Sequence, residues 1–218
     1  MVGCFRGEMR VSGSRLELAS LGDAADWEPW LSTDEARRAA GMSNVVLRAR
    51  FVVSRGLRRK VIAEVLDRQS SELQFIEDQG TKPRLGDANG WDFNLSHAGD
   101  YVALVLARGQ VGVDLEEIRP VREMESLVGR YFHPDEAGAW GGLPLADKEQ
   151  AFFVLWSARE AAMKCAGTGL ARGLGQTRVD PAILRQSSAR GEVGTKQMIL
   201  QRENAPEGYS LVTARMVS

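Results

Sequence analysis

Two cysteines and two histidines are all that 218 residues offer of the side chains most used to hold soft metals or to make disulfides. Cys4 and Cys165 fit neither a disulfide framework nor the paired spacing of a zinc site. Cys165 falls in a segment of helical periodicity and reads as a small packing residue. No apolar run is long enough to cross a bilayer, so no membrane partner is expected. Arg6, Glu8 and Arg10 interrupt the start of the chain, where a signal-peptide core would lie. The net charge is −1, so bulk electrostatics do not make this a polyanion binder, and nucleic acid is not an expected partner. Low-complexity tracts and coiled-coil heptads are missing as well. The remaining reading is a cytoplasmic globular protein, with length for one large domain or two small ones.

The stretch that organises the rest is Gly112-Val113-Asp114-Leu115-Glu116. Read as a strand, it turns Val111, Val113 and Leu115 one way and Gly112, Asp114 and Glu116 the other. Two carboxylates two residues apart on one strand face can share a hard cation. Mg²⁺ suits such oxygen ligands, since it keeps several waters and binds through one or two carboxylates plus substrate phosphates. A solvent-facing strand edge with two charges is the plainer alternative.

A second segment, from Phe152 to Gly167, reads as a helix stopped by glycine. Glu160 and Lys164 stand i, i+4 apart on one face. Phe153, Trp156 and Met163 fall on roughly the same face. A carboxylate in an apolar stripe is costly unless it is paired or metal-bound. The competing reading is an ordinary surface Glu–Lys pair.

A third segment, from about Val46 to Leu66, predicts a long helix buried along Val46, Ala49, Val53, Leu57, Val61 and Val65. Arg48, Arg55 and Arg59 are expected on its solvated face. Arg50 projects instead on the apolar side, between Val53 and Leu57. An inward arginine calls for an anion, and a ligand phosphate and a structural carboxylate serve equally well.

Around these segments the chain alternates. Arg15 to Leu18 reads as a short strand, and Ser32 with Glu35 as a helix start of the capping-box kind. Glu72 to Ile76, Trp91 to His97 and Tyr101 to Ala107 read as strands, the last apolar throughout and so buried on both faces. Gly80 to Pro83 is a loop carrying Lys82. Pro134 opens another helix. Lys196 to Arg202 and Tyr209 to Met216 are candidate strands. Strand, helix, strands recurs in each half, which predicts a duplicated α+β unit with a boundary near Gly109. His97, at a strand end one hairpin from Asp114, is either structural or part of the site.

Taken together, Gly80-Thr81-Lys82-Pro83, Phe93-Asn94-Leu95-Ser96-His97-Ala98-Gly99, Gly112-Val113-Asp114-Leu115-Glu116 and Trp156-Ser157-Ala158-Arg159-Glu160-Ala161-Ala162-Met163-Lys164 resemble, in order and approximate spacing, the surfactin-type 4′-phosphopantetheinyl transferases. The resemblance covers roughly residues 30 to 175. It implies an α+β fold of two pseudo-symmetric lobes, 1–109 and 110–218, with coenzyme A in the cleft between them. It implies transfer of the 4′-phosphopantetheine arm of coenzyme A to a serine of an apo acyl or peptidyl carrier protein, releasing adenosine 3′,5′-bisphosphate. By the same resemblance Asp114, Glu116 and Glu160 hold Mg²⁺ (or Mn²⁺), and Glu160 and Lys164 are catalytic. Arg50, Lys82, Ser96, His97 and Lys164 contact coenzyme A phosphates, and the protein works as a monomer. Two departures stand out. Arg159 occupies a position where the family usually has lysine, and Thr81 adds a residue to the Gly-Lys-Pro loop. They motivate the alternative of a protein that binds coenzyme A or a carrier without turnover.

Overall fold

The computed structural model describes residues 13–77, 82–169 and 173–217. Gly80 and Thr81 of the expected loop, and Cys4 with the charged residues around it, lie outside those residues. β1 (Ser14–Ser20) leads through the four-residue α1 (Ala24–Trp27) to α2 (Thr33–Ala40). Ser32 Oγ accepts from the Glu35 amide at 3.3 Å and the Glu35 carboxylate accepts from the Ser32 amide at 3.0 Å, which closes the capping box that the Ser-Thr-Asp-Glu run predicts. α3 (Val45–Leu66) starts on Asn44, whose side chain accepts from Leu47 N, and ends at Asp67 in the left-handed region.

Along α3, Val53, Leu57 and Val61 are buried as their spacing requires, whereas Val46 is 58% exposed. The first turn, with Val45 and Leu47 also exposed, lies outside the core. The arginines depart further from expectation. Arg59, assigned by periodicity to the solvated face, is buried with Arg58. Its Nε donates to Glu35 at 2.6 Å, and its Nη1 donates to the carbonyls of Ser70 and Leu73 at 2.7 and 3.1 Å. Arg58 donates to Glu35 and Glu77 and lies over the Phe75 ring at 3.7 Å. Two guanidinium groups can be buried here because each meets a carboxylate, Glu35 being shared between them. Arg59 also explains why the strand expected from Glu72 shrinks to β2 (Phe75–Ile76): it holds the residues before it in a tight turn, Ser70–Glu72. β2 pairs with β3 (Arg84–Leu85) in a two-stranded ribbon.

β4 (Trp91–Ala98) and β5 (Tyr101–Arg108) form a hairpin, and β5 pairs on its other side with β1, giving an antiparallel sheet of order β1-β5-β4. α3 packs on one face of it through Val53, Leu57, Val61 and Ile62 against Phe93, Val102, Leu104 and Leu106. Past Gly109 (φ 80°) come β6 (Val111–Glu117), α4 (Met124–Tyr131), α5 (Pro134–Gly141) and α6 (Leu145–Ala166). The chain then runs through β7 (Thr177–Val179), β8 (Ser188–Val193), β9 (Lys196–Arg202) and β10 (Tyr209–Met216). These strands make a second antiparallel sheet, β6-β10-β9-β8-β7. β9 and β10 match the expected strands; β7 and β8, short and broken by Gly191, carry no period that sets them apart from loop.

The two sheets repeat one connection. In each, the first strand pairs with the last, the last pairs with the one before it, and a 22-residue helix lies between first strand and last hairpin. α6 packs across the second sheet through Leu155, Ala158, Ala162 and Met163. It is pinned there by Arg159, which is 1% exposed and faces Glu136 at 0%. Arg159 Nη1 donates to both Glu136 oxygens at 3.0 and 2.7 Å and to the Thr177 carbonyl, and Nη2 donates to the Leu174 carbonyl. No described helix is long and apolar enough to cross a membrane.

Candidate active site

Asp114 comes from the middle of β6, on the face that meets α6. Gly112, two residues earlier on that face, explains the closeness. A Cβ there would overlap the Ala161 carbonyl oxygen and stand 2.6 Å from Cys165 N. Only a residue without a side chain lets the strand lie directly on the helix. That contact brings β6 within reach of Glu160 and Lys164, one helical turn apart on α6.

Asp114 is 2% exposed. Its Oδ1 accepts from Lys164 Nζ at 2.6 Å and from Ser96 Oγ at 3.0 Å. Lys164 Nζ also donates to Ser96 Oγ at 3.0 Å and stands 3.9 Å from Glu160. Oxygens of Asp114, Glu116 and Glu160 all lie within 4.8 Å of one another. Burial raises the affinity of all three for protons, and neighbouring carboxylates add to it at Glu116 and Glu160. Burial, Asp114 and Glu160 together push Glu116 up to about 7. Burial and Asp114 push Glu160 up against the pull of Lys164. Burial also raises Asp114, outweighing Lys164, Ser96 and Ser157.

A divalent cation fits this arrangement on two independent grounds. Three crowded carboxylates are the donor set of a hard ion. In addition, Asp114 Oδ2 is buried with no hydrogen-bond partner, as is the hydroxyl of Ser157 beside it. An orphaned buried carboxylate oxygen is expensive unless something positive meets it.

On the other side of a cleft of about 240 Å³, β4 supplies Leu95, Ser96 and His97. His97 lies at the rim, and partial desolvation of its ring, with the charges of Arg50 and Lys164 nearby, moves it below its ordinary range. Arg50 is half-buried, and its Nε is buried without a hydrogen-bond partner. Among the described residues no carboxylate pairs with it. The structural-carboxylate explanation of its inward aim therefore finds no support there. A larger cavity, of about 680 Å³, opens on β8 and β9 between Asp135, Arg178 and Val217, away from this cluster; the chemistry, not the volume, marks the site.

Seven of the eight expected site residues thus converge: Arg50, Ser96, His97, Asp114, Glu116, Glu160 and Lys164. Lys82 does not join them. Its Nζ pairs with Asp92 and donates to the Val111 carbonyl at 2.6 Å. Arg159, one residue from Glu160, points the opposite way into the buried pair with Glu136. The change from lysine that seemed to bear on the site belongs to the core. Sequence reasoning passed over Asp92, Asn94 and Ser157. Asp92 and Asn94 share a strand face with Ser96, a signal that period-2 alternation carried all along.

Comparison with known proteins agrees with this geometry. Residues 110–213 match the 4′-phosphopantetheinyl transferase superfamily, and residues 30–108 match the 4′-phosphopantetheinyl transferase N-terminal family. The chain is similar to the 4′-phosphopantetheinyl transferase HetI of Nostoc sp., with 34% identity over 73% of this chain and 70% of that protein. Similarity to a putative 4′-phosphopantetheinyl transferase of Synechocystis sp. is 32% over 73% of this chain and 66% of the relative. Against the 4′-phosphopantetheinyl transferase Sfp of Bacillus subtilis it is 30%, over 51% of this chain and 49% of the relative.

Proposed function

The chain belongs to the 4′-phosphopantetheinyl transferase superfamily, and on that premise we propose that it is a surfactin-type transferase working at the Asp114–Glu116–Glu160 cluster. It is an enzyme of the class that moves the 4′-phosphopantetheine arm of coenzyme A onto a serine of an apo carrier protein. Two family matches laid end to end in one chain, at 30–108 and 110–213, support a pair of pseudo-symmetric lobes, 1–109 and 110–218, with coenzyme A between them. The repeated strand order supports the same division. Because both walls of the cleft come from one chain, the working unit is a monomer, placed in the cytoplasm.

Phosphoryl transfer needs alignment and charge neutralisation more than covalent help. Arg50, Ser96 and His97 bind the phosphates of coenzyme A. His97 donates a hydrogen bond to them from the rim of the cleft. Mg²⁺ (or Mn²⁺), held by Asp114, Glu116 and Glu160, would neutralise the pyrophosphate when bound. The serine oxygen bonds to the β-phosphorus as the bond from that phosphorus to the bridging oxygen breaks. The serine proton passes to Glu160, which faces the cleft beside Lys164. Charge builds on the leaving phosphate, and Lys164 Nζ neutralises it.

The observation that carries this reading is the buried, partnerless Oδ2 of Asp114 among three carboxylates within 4.8 Å. Asp114→Ala tests it: transfer is lost while the melting transition persists. Substantial transfer by that variant would remove the cluster from the mechanism. Arg159 no longer argues for a protein that binds without turnover, because its contacts are those of the core.

A further inference from the structure

β4 and β6 are the edge strands of two different sheets, and they lie side by side. An edge strand leaves backbone N–H groups unpaired. Here side chains of the neighbouring strand take them. Asp92 Oδ2 accepts from Val111 N at 2.9 Å, and Asn94 Oδ1 accepts from Val113 N at 2.9 Å. Two residues on, Ser96 Oγ reaches Asp114 Oδ1. Lys82 closes the far end, bonded both to Asp92 and to the Val111 carbonyl. Asp92, Asn94 and Ser96 alternate on one strand face, so a single period-2 row of short polar side chains replaces a backbone ladder. Asn94 is 6% exposed and Ser96 8%, so water does not compete freely for these bonds.

The row has a consequence for chemistry. Ser96 and His97 sit on β4; Asp114 and Glu116 sit on β6. No backbone pairing between the two strands fixes their relative position. We propose that Asp92 and Asn94 are positioning residues of the transfer site. By accepting from the amides of Val111 and Val113 they hold β6 in the register that lets Asp114 meet Ser96 and Lys164. Lys82 serves the same seam by fixing Asp92. This inference rests on the transferase reading. A purely structural role for the row predicts a uniform loss of folded protein. A positioning role predicts damage to the cation site and to turnover in molecules that remain folded.

Asn94→Asp keeps the acceptor oxygen and Asn94→Leu removes it at similar volume. Four quantities are read on each variant: melting temperature, the melting shift caused by Mg²⁺ alone, KM for coenzyme A and kcat. Misplacing reacting groups by about 1 Å costs on the order of 10²-fold. Asn94→Leu is expected to lose kcat on that scale and to lose the Mg²⁺ shift, with KM for coenzyme A little changed. Asn94→Asp is expected to recover most of both. Asn94→Leu with normal kcat and Mg²⁺ shift but lower melting temperature would overturn the proposal, as would Asn94→Asp failing as badly as Asn94→Leu. Asp92→Asn against Asp92→Leu asks the same question one rung away if Asn94→Leu does not fold. Lys82→Met is expected to resemble Asp92→Leu; a large rise in KM for coenzyme A with kcat and Mg²⁺ shift intact would return Lys82 to the phosphates. Absence of transfer by the unaltered protein would defeat the transferase reading, and the Mg²⁺ melting shifts would still judge the seam.

Discussion

Glu116 ionises beside two other carboxylates in a partly buried pocket, and its affinity for protons is lifted to about 7 as a result. Removing its charge should therefore help the metal-free fold while harming the site. Glu116→Gln is expected to melt higher than the unaltered protein at alkaline pH without cation, and to lose the stabilisation that added Mg²⁺ brings. Differential scanning fluorimetry with and without Mg²⁺ reads both effects. Arg159 obeys the opposite logic. Its removal strands the Glu136 carboxylate at 0% exposure, and breaking such a pair costs about 3–5 kcal/mol. Arg159→Ala should lose that much in chemical denaturation. Arg159→Lys should recover only part, since an ammonium does not span both Glu136 oxygens and two carbonyls as the planar fork does. At this scale the sequence was readable where roles follow local period. Asp114 and Glu116 alternate along a strand, and Glu160 and Lys164 stack on a helix. The ion-pair partners of Arg159 and Lys82, Glu136 and Asp92, were not readable, because tertiary packing chooses them.

Elements place those side chains, and the contact of β6 with α6 is the tightest constraint among them. Gly112→Ala should drive strand and helix apart, since its Cβ would overlap the Ala161 carbonyl. Overpacking of this kind costs about 1–3 kcal/mol. The loss of transfer per folded molecule should exceed what stability explains, because Asp114 and Glu160 ride on the two displaced elements. Comparing kcat with the folded fraction by circular dichroism checks this. The α2–α3 junction predicts a pH effect. Burial pushes Glu35 up, but Arg59, the Ser32 amide and Arg58 outweigh it and hold it below 4.5. A carboxyl depressed in the folded state stabilises the fold above its ordinary value and loses that contribution as pH falls through its folded value. Acid melting should therefore steepen below pH 4.5, and Glu35→Gln should flatten that limb while lowering stability at neutral pH. α3 was legible from its stripe, yet burial of Arg58 and Arg59 was not. Periodicity assigns faces, and it does not say that α2 and the turn after α3 cover the arginine side. β7 and β8 were missed because a three-residue strand and one carrying glycine show no alternation to read.

Across the whole molecule, one connection occurs twice, and the cleft with the carboxylate cluster is lined by strands of both sheets. The recurrence of strand, helix and strands hinted at this in the sequence. The seam could not be inferred, because it consists of side chains from one sheet meeting backbone amides of the other. The central claim is that the carboxylate cluster carries metal-assisted transfer. Its most direct test is the intact mass of an apo carrier protein after incubation with this protein and coenzyme A, with and without Mg²⁺. The account predicts a gain of one phosphopantetheine group only when Mg²⁺ is present. An equal gain after thorough chelation, or no gain on any of several apo carriers despite measurable coenzyme A binding, would contradict it.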